Sequence, residues 1–202
     1  MGYQELKEVL RTEFADIYVD DDRWPEAYCD SRNVKAIVLG ADPSNPSGKR
    51  FQYAFGLEDQ KSRYFSPIKS NLDVLGLKLD DLYFQDICRN YFTRVTYELP
   101  RRRWISAATK WPPYLKEELD SHRRISSDIP VLVTTEIILE ALAPEVHSRS
   151  TPNKDYYRNC IFIEPKQNKL ERTLIPFFRH HDDALASWGN YAKAVEEAVR
   201  RG

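Results

Sequence analysis

The residue best suited to chemistry in this 202-residue sequence is Asp42, which lies in a loop over residues 40–48 with the sequence GADPSNPSG. Pro43 and Pro46 each fix one backbone dihedral and so stiffen the loop. A carboxylate on a stiff turn directly after a strand can be held in one position against a substrate. An aspartate in such a turn can also serve only its own backbone, as the acceptor of an Asx turn.

A second group lies near the C-terminus, where Arg179, His180 and His181 follow an apolar stretch. A histidine or arginine there can donate a hydrogen bond to an atom that becomes negative during a reaction. Paired histidines at the end of a strand are also frequent surface residues, and the sequence leaves open which imidazole faces inwards. No further ligand at metal spacing accompanies them, so we predict no metal site.

The predicted elements place both groups at one edge of a sheet. Short apolar runs predict strands over residues 34–39, 82–84, 129–133, 159–163 and 173–178. Pro176 restricts the last of these to a sheet edge or an irregular stretch. Apolar residues at helical spacing predict helices over residues 3–17, 67–75, 113–119, 138–142 and 184–201, with Ser66 as the N-cap of the second. This alternation predicts one α/β domain over residues 1–202, with three layers, α/β/α, and a central, mostly parallel sheet whose ligands bind at the carboxyl ends of the strands.

The composition is typical of a soluble protein, and charges in the first ten residues, where a signal peptide would be apolar, predict a cytoplasmic location. Hydrophobic residues make up 42% of the chain and charged residues 30%, and no apolar run approaches the roughly 20 residues of a membrane span. The three cysteines are scattered, which excludes a disulfide framework and a four-cysteine metal site. A net charge of -1 gives no overall attraction to nucleic acid, so any contact with DNA must come from local patches.

The segment from Val34 to Leu57, VKAIVLGADPSNPSGKRFQYAFGL, resembles the first active-site motif of the uracil-DNA glycosylases. That motif is a strand followed by Gly-Gln-Asp-Pro-Tyr-His, then Gly, then Ala-Phe, and this chain matches it in register at Gly40, Asp42, Pro43, Gly48 and Ala54-Phe55. The resemblance implies a uracil-DNA-glycosylase-like fold. It also implies that Asp42 is the catalytic carboxylate that supports attack of water at the sugar C1′.

The same resemblance implies a pocket for the extruded base. Phe55 would stack on the base, with Gly40, Ala41, Pro43 and Ser44 around it. Ser44 stands where the family has a tyrosine whose bulk excludes the methyl group of thymine. The smaller side chain therefore predicts looser selectivity for uracil.

The segment LIPFFRHH over residues 174–181 weakly resembles the family's second motif, a strand that ends in His-Pro-Ser-Pro. The catalytic histidine carries over to His180 or, failing that, to His181, and Arg179 would add positive charge. In the family, the role of this histidine is to stabilise the negative charge on the leaving pyrimidine. Asp182 and Asp183 stand where the family has the residues that grip phosphate, and two carboxylates there repel DNA.

Asp86 occupies the place of the asparagine with which the family reads the edge of the base, and Gln85 is the alternative. An asparagine amide donates to uracil O4 and accepts from N3–H, whereas an ionised aspartate only accepts. Asp86 therefore suits uracil only if burial keeps it protonated, and otherwise favours a base that presents donors. It could also be no more than the N-cap of a following helix.

The expected partner is DNA that carries a damaged base. Arg101, Arg102 and Arg103 next to Trp104 combine cations with an aromatic ring, as DNA-binding surfaces do, although such runs are more often solvated faces. We expect a monomeric DNA glycosylase that excises uracil or a related base without metal or cofactor. The alternatives are a noncatalytic nucleic-acid-binding member of the same fold and a small-molecule hydrolase; no phosphate-binding glycine motif supports a nucleotide-binding protein.

Overall fold

A computed structural model describes residues 3–58, 65–147 and 150–202. Its centre is a sheet of four parallel strands in the order β2-β1-β3-β4. The strands are β1 (Ala36–Gly40), β2 (Leu82–Asp86), β3 (Val131–Val133) and β4 (Leu174–Pro176). The described helices are α1 (Tyr3–Glu13), α2 (Ser66–Val74), α3 (Arg101–Ala108), α4 (Pro112–Ser121), α5 (Glu136–Leu142), α6 (Asn153–Arg158) and α7 (Gly189–Arg201). The predicted three-layer α/β fold is confirmed, with a sheet that is parallel throughout.

The strands are buried along their whole length, which is why they appear in the sequence as continuous apolar runs. In the register of the sheet, Gly40 pairs with Asp86 and Val133 with Pro176. β4 pairs with β3 on one side, and on its other side only Leu174 forms an isolated bridge, since Pro176 has no N–H group with which to extend a ladder. Its edge position confirms the prediction made from that proline.

The predicted strand over residues 159–163 does not form. Helix α6 occupies the preceding residues, and Cys160 has a left-handed backbone (φ 50°) that turns the chain instead of extending it. Only Ile163 pairs, in an isolated antiparallel bridge with Leu174. Ser66 is the first residue of α2 and not its N-cap, which is Phe65.

Because the strands are parallel, the four loops that follow β1, β2, β3 and β4 lie together at the carboxyl ends of the strands. Hydrogen bonds hold these ends together: Thr134 donates its hydroxyl to the Leu39 carbonyl (2.9 Å), and the Arg179 N–H donates to the Thr134 carbonyl (3.1 Å). None of the helices in the described ranges combines the length and apolar character needed to cross a membrane.

Candidate functional site

A cavity of about 790 Å³ opens at the carboxyl ends of the strands. Every strand contributes to its wall, either through its last residue or through the loop that follows it. The wall includes Ala41, Asp42, Pro43, Ser44, Lys49, Phe51, Phe55, Asp86, Thr96, Tyr97, Arg101, Glu136 and Arg179. The predicted residues Ala41, Asp42, Pro43 and Ser44 therefore share a cavity with Phe55 and Asp86, which are distant from them in sequence.

Asp42 is held in place by three donors. Its Oδ1 accepts from the backbone N–H of Ser44 (2.9 Å), which is the Asx turn that the sequence allowed. Its Oδ2 accepts from the Thr96 hydroxyl (2.6 Å) and from the Trp104 indole N–H (2.8 Å). The Asx turn and a functional role are compatible, because the turn takes one of the two acceptor positions of Oδ1, while Thr96 and Trp104 take both positions of Oδ2.

The charge state of Asp42 follows from its surroundings. The side chain is 9% exposed, and burial raises its pKa, while the hydrogen bonds from Thr96, Ser44 and Trp104 work in the opposite direction. A carboxylate oxygen can accept about two hydrogen bonds, so Oδ1 has room for one more donor. Asp42 can therefore bind and orient a water molecule from the cavity.

Asp86 lies next to Asp42 but has fewer partners. It is 2% exposed, the Phe55 N–H donates to its carboxyl group, and Oδ2 is buried without a hydrogen-bond partner. Burial and then the negative charge of Asp42 raise the pKa of Asp86 to about 8. Of the two carboxyl groups, Asp42 with its three donors ionises first, and a pKa of about 8 leaves Asp86 mostly protonated at pH 7.

Gly40 makes this packing possible. A Cβ atom at position 40 would lie 2.1 Å from Asp86 Oδ1 and 2.8 Å from Phe55 Cζ. Gly40 lies beneath these two side chains rather than in the cavity wall. Its function is to let Asp86 and Phe55 approach the end of β1.

The Phe55 ring is fixed by its backbone and by its neighbours. Phe55 has a left-handed conformation (φ 62°), which is rare for a residue with a side chain, and its ring packs edge-to-face on Phe65 and Phe84. Phe51 forms a second aromatic part of the wall and packs against Gly56, where an added Cβ would lie 2.9 Å from its ring. The cavity therefore offers flat apolar surfaces beside two carboxyl groups.

Gln85, the alternative to Asp86, faces away from the cavity. Successive side chains of a strand point to opposite faces, and the Gln85 amide donates to Glu118 Oε1 (2.7 Å). Ser44 lines the cavity, and its hydroxyl accepts from the Phe92 N–H (2.7 Å). That bond directs the hydroxyl toward the loop after β2. Because the side chain is a serine, it is also short and takes up little space at the cavity wall.

The C-terminal segment is arranged differently from the prediction. Arg179 lines the cavity, whereas His180 does not: its side chain is 59% exposed, and its Nδ1 lies 3.7 Å from Asp182 Oδ2. The turn into the 3-10 helix over residues 181–183 begins at His180, whose carbonyl accepts from the Asp183 N–H, and this turn carries the imidazole outwards. The side chain of His181 lies outside the part of the chain that the structure describes.

The arginine run does not form one cationic surface. Arg101 pairs with Glu140 (2.7 Å) and, more weakly, with Glu136 (3.5 Å), both on α5. Arg103 pairs with Asp16 at the other side of α3, and Arg102 is exposed. Two of the three charges are thus offset by carboxylates, which reduces their attraction for phosphate.

Three residues of the site have no clear signal in the sequence. Trp104 follows the arginine run, but it is fully buried and holds Asp42. Phe51 lies in a loop and Thr96 begins a 3-10 helix of one turn, and the course of both segments depends on tertiary packing. Within the described residues, no group of three or more His, Cys, Asp or Glu side chains could hold a metal ion.

Comparison with known proteins adds no further assignment: no protein-family model and no curated protein matches this sequence.

Proposed function

We propose that this protein is a DNA glycosylase, which hydrolyses the N-glycosidic bond of uracil or a related damaged base after the nucleotide has turned out of the DNA. The proposal rests on the convergence of Asp42, Phe55 and Asp86 on one cavity at the carboxyl ends of the strands. These residues are 13 and 31 positions apart in sequence, and Phe55 and Asp86 can approach the end of β1 because Gly40 lacks a side chain. A volume of about 790 Å³ lies within the roughly 300–1,000 Å³ of ordinary ligand sites.

The base would lie against the Phe55 ring with its edge toward Asp86. As a neutral acid, Asp86 donates its O–H to uracil O4 and accepts from N3–H, as an amide would. This pairing needs the proton, so binding of uracil is expected to weaken as the pH rises through about 8. The short side chain of Ser44 leaves room beside the ring, which favours related bases as well as uracil.

Asp42 would act at the sugar. A water molecule bound at its Oδ1 attacks C1′ as the C–N bond breaks, and the electrons of that bond remain on the base. The proton of the water passes to Asp42, and the base anion takes up a proton from the solvent. Arg179 supplies positive charge in the cavity while the base is negative, which is the role first expected of His180.

The test is release of free uracil from single- and double-stranded oligonucleotides that contain it. We expect release by the wild-type protein, its loss in Asp42→Asn, and a reduced rate in Arg179→Gln. His180→Ala serves as the control, because an exposed side chain outside the cavity wall should leave the rate unchanged. If no tested lesion is released, or if Asp42→Asn is as active as the wild type, the proposal fails.

The exposed position of His180 also favours a second candidate, a nucleic-acid-binding protein of this fold without catalytic activity. Such a protein would bind DNA without releasing a base. Its affinity would fall as salt rises, in proportion to the number of phosphates contacted.

A further inference from the structure

Tyr97 is an exposed aromatic residue at the wall of the cavity. Its side chain is 78% exposed, and among the described residues with large, exposed apolar side chains it is the only aromatic one. It lies in the middle of a 3-10 helix over residues 96–98. Most of the ring surface is therefore accessible to water and to a ligand that binds at the cavity.

The backbone beneath the ring is firmly anchored. Val95 and Leu99, on either side of the short helix, are each 7% exposed, and the Glu98 N–H donates to the Val95 carbonyl (2.9 Å). Thr96, the residue before Tyr97, donates its hydroxyl to Asp42 Oδ2. The position of Tyr97 is therefore tied directly to that of the proposed catalytic carboxylate.

The cavity wall that includes Tyr97 suits a ligand that carries negative charge, has planar rings and extends beyond one base. Lys49 and Arg179 line the same cavity and supply positive charge to it. Cations beside aromatic rings follow a nucleic-acid strand by contacting its phosphates and stacking on its bases. Phe55 lies buried in the wall, and Tyr97 stands exposed at it, so the cavity offers one inner and one outer aromatic surface.

We propose that Tyr97 stacks on the nucleobase next to the one held in the cavity. The binding site then spans at least two nucleotides of one strand, and a DNA strand binds more tightly than a free nucleoside. Tyr97 is a positioning residue in this arrangement, because it holds the neighbour of the reacting nucleotide and does not touch the reacting atoms. The inference rests on the proposed function in that it takes the ligand to be DNA.

The experiment measures binding and not excision. Fluorescence anisotropy follows a labelled, uracil-containing single strand in the Asp42→Asn background, and a second titration uses free deoxyuridine. Tyr97→Ala should weaken binding of the strand about 5- to 150-fold, since stacking contributes about 1–3 kcal/mol per base. Tyr97→Phe keeps the ring and should stay within about twofold, and neither variant should change the affinity for deoxyuridine.

Several results would overturn the inference: unchanged binding of the strand by Tyr97→Ala, an equal loss with deoxyuridine, or failure of the parent protein to bind the strand. Because Tyr97 is exposed, Tyr97→Ala should unfold at the same temperature as its parent. The outcome is independent of excision. If no tested lesion is released but Tyr97→Ala binds the strand more weakly, the proposed glycosylase activity fails and the role of Tyr97 stands. If a base is excised but Tyr97→Ala binds the strand as tightly as its parent, the activity stands and the role of Tyr97 fails.

Discussion

Two carboxyl sites lie on opposite sides of β2, and adjacent residues of that strand reach them. Gln85 donates to Glu118, which also accepts from Tyr3 (2.6 Å) and Tyr83 (2.6 Å) and pairs with Arg89 (3.0 Å). Asp86, the next residue, reaches the cavity beside Asp42 and has an unpartnered oxygen. At the first site, the Glu118 carboxylate has three hydrogen-bond donors and an arginine as partners. At the second site, the Asp86 carboxyl group has an oxygen without a partner and lies beside a second acid.

The pKa shifts of the acids at the two sites reflect this difference in bonding. Burial disfavours the charged form of Glu118, but Arg89 and the hydrogen bonds from Tyr3, Tyr83 and Gln85 outweigh it and lower the pKa. At the cavity, burial dominates and raises the pKa of both Asp42 and Asp86. Buried acids with complete partners stabilise a fold, whereas acids kept under-compensated at a cavity are candidates for chemistry. Substitutions at the two sites should therefore separate activity from stability.

Asp42→Asn should have the largest effect, and the effect should be on activity. Loss of the carboxylate should lower the rate of uracil release by about 100- to 10,000-fold, the usual contribution of a positioned acid–base group. The free energy of unfolding should change by less than about 2 kcal/mol, because the amide removes the buried charge beside Asp86 but replaces one of the two acceptor oxygens with an NH2 group that faces hydrogen-bond donors. Single-turnover assays and urea denaturation measure the two quantities. A variant that is unstable and fully active would mean that Asp42 belongs with Glu118 as a structural acid.

Gly40→Ala should damage stability at the cavity site. The new Cβ would have to displace Asp86 Oδ1 and Phe55, and overpacking of this kind costs about 3 kcal/mol. Gly189→Ala is the matched control, since nothing lies within 4 Å of the Cβ position at the start of α7. That variant should be neutral or slightly more stable. Equal stability of the two variants in urea denaturation would argue against the close approach of Asp86 to β1.

Glu118→Gln should reverse the pattern seen at Asp42. It leaves Arg89 without its carboxylate, and because these side chains are 21% and 18% exposed, we expect a loss of about 2 kcal/mol, less than for a fully buried pair. Uracil release should be unchanged at a temperature where the variant is folded. Glu117→Gln, at the exposed neighbouring position on α4, should change the free energy of unfolding by less than about 0.5 kcal/mol. Loss of activity in folded Glu118→Gln would remove the distinction between the sites.

Asp86→Asn should change the pH dependence of stability. The pKa of Asp86 is about 8 in the folded protein and 3.8 ordinarily, so between these values the folded state holds a proton that the unfolded chain releases. The stabilisation from Asp86 is thus complete below about pH 4 and is lost as the pH rises toward 8. Relative to wild type, Asp86→Asn should gain about 1 kcal/mol per pH unit across this range, close to the limit for one proton. Parallel stability curves for the two proteins from pH 5 to pH 8 would contradict the raised pKa.

The sequence was informative where function depends on local structure. The end of β1, the proline-framed loop and the position of Asp42 could all be predicted, because an apolar run, a glycine and two prolines determine them locally. Pro176 likewise identified the edge strand. The C-terminal segment was harder, because the direction of Arg179 and His180 depends on where the chain turns after β4. Of these two neighbouring residues, Arg179 lines the cavity and His180 faces solvent, although His180 was the residue expected to act in catalysis.

The supports of Asp42 could not be predicted for a different reason. Thr96 and Trp104 are 54 and 62 positions from Asp42 in sequence, and nothing in their local pattern indicates that they share an acceptor. Trp104 follows three arginines, which suggested an exposed DNA-binding run. Burial of its indole is decided by the packing of α3 against α5 and the 3-10 helix over residues 96–98, and only the folded structure shows it.

The indole of Trp104 also makes the protein its own optical reporter. Its N–H group is bonded to the carboxylate proposed to act on the sugar, so its emission should respond whenever that carboxylate gains a proton or a ligand displaces nearby water. The other three tryptophans, Trp24, Trp111 and Trp188, are not in the cavity wall and would contribute a steady background. Occupancy of the cavity could then be followed in real time without a dye attached to either the protein or the DNA.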